Sequence, residues 1–138
     1  MIEGHCLCRR IRFELAAAPL IVLCHCSICR RATGGPFEAA ATVPTADFRW
    51  IAGADEIRIF ESSPGVERSF CPSCGCRAPS RSRDRDIYFV PAGLLDGDLA
   101  DTRALHIFVG SKAPWWEIHD DWPQFEKWVP GYGPDDGA

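Results

Sequence analysis

The spacing of the cysteines constrains this chain more than any other feature of its sequence. Seven of the eight fall into three tight groups, namely Cys6 with Cys8, Cys24 with Cys26 and Cys29, and Cys71 with Cys74. The N-terminus carries no secretory signal pattern, so we expect a cytoplasmic protein in a reducing compartment, where disulfides do not persist. Cysteines crowded this closely are then typical of metal ligands. We therefore expect seven thiols to bind metal.

Four of these cysteines fit a closed structural site. Cys71 and Cys74 have the spacing of a zinc knuckle, in which a tight turn lets two sulfurs converge on one ion. A tetrahedral structural zinc needs four ligands, and Cys6 and Cys8 are the natural second pair. Such a site would join the N-terminal strand to a hairpin far along the chain and add metal-binding energy to folding.

The remaining group provides three thiolates within six residues, Cys24, Cys26 and Cys29. Three protein ligands with an open fourth position are typical of a catalytic zinc, where water or substrate completes the set. All-thiolate ligands favour zinc over copper, and an iron–sulfur cluster usually takes four cysteines. A redox interpretation of the C-x-x-C spacing requires a thioredoxin-like βαβ context, which the sequence does not provide.

The rest of the sequence predicts short strands separated by turns. Residues 10–15 alternate polar and apolar side chains, the pattern of a half-buried strand. Further β-rich stretches lie at 37–43, 48–51, 57–61, 66–70, 87–90 and 105–109. Helix is expected only in a short turn after Cys26 and at 123–128. This pattern predicts one mainly β, mostly antiparallel domain over residues 3–129, with a frayed tail at 130–138.

Charge and hydropathy argue against two classes of partner. The net charge is −4 with no long basic run, so we expect no nucleic-acid partner. The apolar run 15–24 is shorter than the roughly 20 residues that cross a bilayer, so we expect no membrane partner. Four of the five tryptophans lie between residues 115 and 128. Acidic neighbours such as Glu117 and Asp120 make packing over a sheet edge or pocket more plausible there than base stacking.

Several motifs occur along the chain, namely Gly4 to Cys8, Cys24 to Arg30 followed by Gly34, Phe70 to Gly75, Gly93 to Asp96, and a C-terminal block at 106–109, 111–115 and 123–125. Together they resemble the glutathione-dependent formaldehyde-activating enzyme family, which also includes centromere protein V. The resemblance covers the chain from about Gly4 to Trp128. It implies the Mss4-like fold, a zinc-stapled antiparallel β-sheet fold also described as a β-tent, with very little helix.

The resemblance also implies ligands and an activity. It implies a structural zinc at Cys6, Cys8, Cys71 and Cys74 and a second zinc at Cys24, Cys26 and Cys29, in agreement with the division by spacing. We therefore expect two zinc ions per chain, with the three-cysteine group as the catalytic site. The family activity is that of a carbon–sulfur lyase, which joins glutathione and formaldehyde to give S-hydroxymethylglutathione. We expect a small thiol such as glutathione and a small aldehyde as substrates, and a monomer or homodimer.

Two alternatives to this enzyme remain open from the sequence. One is a non-catalytic zinc-stabilised binding module for a protein or small thiol, since this fold serves unrelated functions. A fourth ligand at the three-cysteine site would favour that module. The other is a methionine sulfoxide reductase of similar fold, which needs a nucleophilic cysteine on a late strand. It is disfavoured because no cysteine follows Cys76.

Four further residues near the cysteine groups have open roles. Arg30 or Arg31 could attract a substrate carboxylate or simply be solvated. His25, between two ligands, should point away from their metal, and is either a proton source or a satisfied, partly buried histidine. Cys76 is a spare ligand, a reactive thiol or a small buried residue.

Overall fold

The structure, a computed structural model, describes residues 1–131, which form short strands with little helix. The strands are β1 (Ile2–His5), β2 (Arg12–Leu15), β3 (Leu20–Cys24), β4 (Glu38–Pro44), β5 (Phe48–Ala52), β6 (Arg58–Ser63), β7 (Val66–Phe70), β8 (Arg77–Ala78), β9 (Ser80–Arg81), β10 (Ile87–Pro91) and β11 (Ala104–Ile107). Within residues 1–131 the only α-helix is α1 (Ser27–Thr33), beside 3-10 turns at Thr45–Asp47, Ala92–Leu94 and Val109–Ser111. The expected mainly β class, with antiparallel sheets and very little helix, is confirmed.

Contacts divide the chain into two compact units. The first contains Met1–Leu20 and Ala40–Arg103, and the second contains Ile21–Ala39 and the chain from Ala104 onward. The expected limits of a single domain, 3 and 129, stay a prediction. Of the tail expected at 130–138, residues 132–138 lie outside the described part of the chain.

Apolar side chains of β2 form part of the core of the first unit. The buried residues of this core are Phe13, Leu15, Ala41, Val43 and Val90, from β2, β4 and β10. β2 lies between β1 and β5 in an antiparallel sheet, and β10 pairs antiparallel with β4 and β9. Burying the apolar face of β2 fixes its register with β1. The register in turn fixes where β1 ends, at His5, directly before Cys6.

A second antiparallel sheet of the first unit holds the other cysteine pair. Its strand order is β6-β7-β8, and the turn between β7 and β8 carries residues 71–76. Two backbone hydrogen bonds close that turn, from Gly75 N–H to the Cys71 carbonyl and from Cys71 N–H to the Cys76 carbonyl, both 2.8 Å. Gly75 has a φ of +74°, which glycine adopts without strain.

The second unit is built on a parallel pair of strands. β3 runs parallel to β11, with Cys24 opposite Ile107. α1 follows directly, capped by the Cys26 side chain at its N-terminus and ended by Gly34 in the left-handed conformation. The helical turn expected after Cys26 is therefore present, and a parallel pair adds to the antiparallel pairing that the sequence predicts.

The helix expected at 123–128 is wrong. These residues are irregular, and their backbone groups bond to the end of β11 instead. His106 N–H donates to the Pro123 carbonyl at 2.8 Å, and Phe125 N–H donates to the His106 carbonyl at 3.0 Å. The backbone is thus satisfied by a neighbouring strand rather than within its own segment.

No helix in residues 1–131 is both long and apolar enough to cross a membrane.

Gly53 offers a test of how closely the chain packs beneath the first cysteine turn. A Cβ atom at Gly53 would meet the Arg10 backbone carbonyl and lie 3.0 Å from Ile11 Cα, and the residue has a φ of +82°. We expect Gly53→Ala to lower the free energy of unfolding by about 2–4 kcal/mol, combining backbone strain with the clash. Urea unfolding of the metal-loaded protein measures the change.

Gly65→Ala is the matched control for this substitution. Gly65 has a similar φ of +78°, but a Cβ atom there meets nothing within 4 Å. The control should therefore cost only the left-handed backbone strain, about 1 kcal/mol. Equal losses in the two variants would contradict the close backbone approach at Gly53.

Candidate metal centres

Four sulfurs of the first unit converge at one point. Cys6 and Cys8 lie in the turn after β1, and Cys71 and Cys74 lie in the turn after β7. The four Sγ atoms all lie within 4.8 Å of one another, with 3.5 Å between Cys6 and Cys8 and 3.7 Å between Cys8 and Cys71. A tetrahedral ion with metal–sulfur bonds of about 2.3 Å separates its sulfurs by roughly 3.8 Å. The donor set therefore fits a tetrahedral metal ion.

Packing and backbone donors support this group. Cys6 and Cys71 are fully buried and form a small core with Ile11 and Ala78. Ile11 N–H points at the Cys6 sulfur over 3.4 Å. A backbone donor directed at sulfur favours the thiolate, which is the form that binds metal.

The thiols of this group differ in acidity. The backbone N–H of Cys76, as the largest cause, lowers the pKa of Cys74 to about 6. At Cys8 a backbone hydrogen bond from Arg10 acts to lower the pKa, but desolvation and the neighbouring sulfurs outweigh it and raise the pKa to about 12. Without a cation, the sulfurs cannot all ionise side by side, so a divalent ion would displace protons on binding.

The second unit holds the three-sulfur group. Cys24 ends β3, Cys26 caps the N-terminus of α1, and Cys29 lies buried in its first turn. Their sulfurs lie within 4.8 Å of one another. Among residues 1–131, no fourth His, Cys, Asp or Glu ligand atom joins the three at that distance. The group can therefore hold a metal ion with at least one position left for another molecule.

Hydrogen bonds concentrate the negative charge of this group on one sulfur. The Cys24 and Cys29 side chains, followed by the Cys29 backbone N–H at 3.3 Å, lower the pKa of Cys26 to about 2. The hydrogen bond to Cys26 is the main cause that raises the pKa of Cys24 to about 12. Hydrogen bonds with Cys24 and Cys26 are the main causes that raise the pKa of Cys29. The three sulfurs thus form a ready anionic site for a cation.

Charged groups lie near the loop that carries the three sulfurs. The guanidinium Nε of Arg30 donates to the His25 carbonyl at 3.3 Å, whereas Arg31 is exposed. Glu38 is buried, and its negative charge adds to the rise in the pKa of Cys29. Arg30 therefore stabilises the loop from which the three sulfurs project.

Two buried histidines and an exposed aspartate are joined by hydrogen bonds in the same unit. His25 Nε2 lies 2.8 Å from His106 Nδ1, and His106 Nε2 lies 2.9 Å from Asp120 Oδ2. The Trp122 backbone N–H donates to Asp120 Oδ1 at 3.0 Å. Exposure is 0% for His25 and 2% for His106. His25 Nδ1 is buried and has no hydrogen-bond partner among the described residues.

The surroundings of His25 and Asp120 determine whether each side chain is charged. Burial, followed by the positive charges of His106 and Lys112, lowers the pKa of His25 to about 4. Burial alone would raise the pKa of Asp120, but hydrogen bonds from His106 and from the Trp122 backbone keep it below its usual range. At neutral pH His25 is therefore neutral and Asp120 is ionised.

Three of the four tryptophans near the C-terminus, Trp116, Trp122 and Trp128, lie against aromatic side chains of the second unit. The Trp116 ring lies 5.9 Å from Phe37, and the Trp122 ring lies 6.2 Å from His106. Phe37 in turn lies 5.2 Å from His25. These edge and tilted contacts agree with a packing role, and they place Phe37 and Trp122 beside the histidine pair.

The structure brings together both cysteine sets that the spacing predicts, and their ligand roles stay a prediction. Cys76 belongs to neither set, and burial raises the pKa of its thiol. His25 also lies outside the three-sulfur group, since neither ring nitrogen joins the sulfurs within 4.8 Å. His106 and Asp120 were missed, because no local pattern connects them with a histidine some 80 residues earlier.

Comparisons with known proteins agree with the motifs. The family model described as glutathione-dependent formaldehyde-activating enzyme matches residues 1–111. A Halomonas elongata protein named "Putative glutathione-dependent formaldehyde-activating enzyme" is 30% identical over 128 residues, which covers 86% of this chain and 81% of that protein. A crystal structure of a Rhodobacter sphaeroides protein matches with a TM-score of 0.56 at 25% identity, covering 74% of this chain and 98% of that one. The family expected from the motifs is confirmed, and this chain belongs to the glutathione-dependent formaldehyde-activating enzyme family.

Proposed function

We propose that this protein is a zinc-dependent carbon–sulfur lyase that forms or breaks a thiol–aldehyde adduct at Cys24, Cys26 and Cys29. The observation that carries the proposal is the set of three converging sulfurs, without a fourth protein ligand among residues 1–131. Such a set leaves room for a substrate atom, whereas a purely structural site is closed. Family membership supports the same reaction class.

Zinc is the metal best suited to both groups. Soft thiolates are its usual ligands in tetrahedral sites, and the reaction requires no change of oxidation state. Cys6, Cys8, Cys71 and Cys74 would then hold a structural ion. The exposed Cys8 does not alter this assignment, because its sulfur lies within contact distance of two partners that are fully buried.

The chemistry adds a thiol across a carbonyl group. The substrate sulfur forms a bond to the aldehyde carbon, the π bond of the carbonyl breaks, and its oxygen takes up the proton that the thiol gives up. Bound zinc would supply a Lewis acid that favours thiolate formation and polarises the aldehyde oxygen. The three cysteines hold this site, and Arg30 keeps their loop in shape through the His25 carbonyl.

The names of the family and of the relative suggest glutathione and formaldehyde as substrates. Both are compatible with a site of this kind, since the reactive atoms are a thiol sulfur and a small carbonyl group. Glutathione and formaldehyde are therefore the first substrates to test, with other small thiols as alternatives.

Metal stoichiometry tests the two sites. We expect two zinc ions per chain in the wild type and one in the Cys26→Ser variant, with the fold retained, because the four-sulfur group is intact. Elemental analysis measures the number of zinc ions per chain, and circular dichroism shows whether the fold is retained. Cys76→Ser is the matched control and should keep both ions. A single zinc, lost only in Cys71 or Cys74 variants, would eliminate the second site.

Metal affinity should fall as the pH falls. Cys8 and Cys24 have pKa values of about 12 in the absence of metal, so each keeps its proton at neutral pH and must lose it to bind an ion. For each proton that the metal must displace, its affinity falls about tenfold for every unit by which the pH is lowered. We expect losses of at least tenfold per unit below neutrality at both sites, measured by competition with a chromophoric chelator. An affinity independent of pH would contradict thiolate ligation.

Catalysis is tested by rate, since thiols and aldehydes also react spontaneously. We expect the zinc-loaded protein to accelerate exchange between glutathione and its formaldehyde adduct, measured by NMR exchange spectroscopy at equilibrium. Cys26→Ser should return the rate to the spontaneous value, because it removes the ligand that carries the charge of the group. Cys76→Ser should stay within about twofold of the wild type. No acceleration with glutathione or other small thiols would favour a binding module instead.

A further inference from the structure

A cavity in the second unit has charged and polar side chains in its wall and contains none of the cysteines. Its volume is about 460 Å³, which lies within the range of small-molecule sites in proteins. The wall comes from the 3-10 turn after β11 and the segment that follows it, and consists of Val109, Lys112, Glu117, Ile118, His119 and Gln124. A concave surface of this size with a few polar groups is a candidate site for a small ligand.

Lys112 brings a positive charge to this cavity without a carboxylate partner. The side chain is half-buried, and its ammonium donates to the backbone carbonyls of Ala113, at 3.2 Å, and of Trp116. No carboxylate of residues 1–131 forms an ion pair with it. An ammonium has three N–H donors, so one remains for a further acceptor. Burying part of a charge without a counter-ion is costly, and a bound anion would reduce that cost.

The acidic residues of the same segment have other neighbours. The Glu117 carboxylate lies 3.6 Å from His119 Nε2, and both of these side chains are 82% exposed. Asp120 is hydrogen-bonded to His106 Nε2 and to the Trp122 backbone N–H. Because solvent screens an exposed charge more than a half-buried one, Glu117 offsets the charge of Lys112 only weakly. The wall therefore favours an anion beside Lys112.

The wall suits a carboxylate better than a phosphate. Proteins usually hold phosphate with several cations or with the N-terminus of a helix, whereas this wall has one lysine and a glutamate of opposite charge. We propose that the cavity binds a small carboxylate molecule, and that Lys112 holds its carboxylate group. The Gln124 amide can donate a second hydrogen bond, and Val109 and Ile118 provide apolar surface for the carbon chain.

Two sources can supply such a carboxylate, the thiol substrate itself or a separate small acid. The cavity and the three-sulfur group belong to the same unit. Cys24 lies opposite Ile107 in the paired strands, and Val109 follows two residues later. The Cα atoms of Cys24 and Val109 are therefore within about 13 Å of each other, and an extended tripeptide spans about 10 Å. The two sources share the carboxylate, and they are separated by the kinetic experiment described below.

NMR titration of the zinc-loaded, 15N-labelled protein tests the site with a matched pair of probes. N-acetylglycine has a carboxylate, and N-acetylglycinamide has nearly the same shape without the charge. We expect N-acetylglycine to shift the backbone resonances of Lys112 and Gln124 with a Kd in the millimolar range. N-acetylglycinamide should bind about tenfold more weakly, as for loss of a charge-assisted hydrogen bond. Equal binding of the two probes, or shifts that avoid the cavity, would refute the site.

Substitutions of lysine assign the carboxylate to one side chain. Lys112→Gln should weaken N-acetylglycine about tenfold, whereas Lys112→Arg keeps the positive charge and should bind within about threefold of the wild type. Lys127→Gln is the matched control, since it makes the same substitution at an exposed lysine outside the wall, and should bind like the wild type. If Lys112→Gln binds N-acetylglycine as tightly as the wild type does, the role of Lys112 is wrong. If this variant does not fold, Lys112→Arg and the two probes still decide.

Cys26→Ser excludes binding of the probe to metal. A carboxylate can also occupy the open position of the second ion, and this variant removes a proposed ligand of that ion without altering the wall of the cavity. We expect it to bind N-acetylglycine as tightly as the wild type does. Loss of binding would place the carboxylate on the metal and overturn the inference. Because this readout needs no catalysis, the inference and the proposed function can fail independently.

Kinetics separates the two sources of the carboxylate, and this experiment alone rests on the proposed function. Cysteamine, a thiol without a carboxylate, is the reference for glutathione. If the thiol substrate occupies the cavity, Lys112→Gln raises KM for glutathione about tenfold and leaves KM for cysteamine unchanged. If both KM values stay unchanged while N-acetylglycine binding is lost, the site serves a separate small acid. An equal rise for both thiols would show that Lys112 acts on the structure rather than on a carboxylate.

Discussion

The convergence of four sulfurs is the constraint on which the first unit depends. Cys8 and Cys71 are separated by 63 residues, yet their sulfurs lie 3.7 Å apart. Closing a loop of that length costs about 4 kcal/mol of chain entropy, which a metal ion bound to both ends would offset. Cys6 and Cys71 are also part of a small core with Ile11 and Ala78, so packing and ligation favour the same arrangement. The turns after β1 and β7 are therefore stabilised both by burial and by the donor set.

The two cysteine groups share a ligand chemistry and differ in what surrounds it. The four-sulfur group offers as many donors as a tetrahedral ion takes, and its nearest neighbours are apolar side chains and backbone donors. The three-sulfur group extends into the first turn of α1. It lies in a unit that also contains Arg30, the buried Glu38 and a buried histidine pair. Polar groups of this kind are costly to bury, and proteins retain them mainly where a ligand or a reaction needs them. The contrast supports a structural role for the first group and a reactive role for the second.

Most strands followed from the sequence because their residues alternate polar and apolar side chains or are rich in residues that favour strands. Residues 66–70 were predicted with the bounds that the structure shows, and the stretches at 37–43 and 87–90 differ by one residue at most at each end. β3 was not predicted, because its continuous apolar run has no period of two and pairs in parallel with β11, a pattern that periodicity cannot distinguish from other buried segments. β1 was also absent from the predicted stretches. It is short and contains Gly4, where a side chain would collide with the Phe13 ring. The helix expected at 123–128 is absent because the backbone of that segment forms hydrogen bonds with His106 of β11.

The sequence by itself determined the two cysteine groups and the family, because spacings of two to five residues fix where neighbouring sulfurs can point. It also separated four cysteines from three, since a closed tetrahedral site needs four. Only the tertiary structure decided that Cys76 lies outside both groups and that His25 meets His106, which in turn meets Asp120. The separation of 81 residues between the two histidines explains the difference. Contacts at that range depend on how β3, β11 and the irregular segment after them pack together, and no local pattern of residue types encodes that packing.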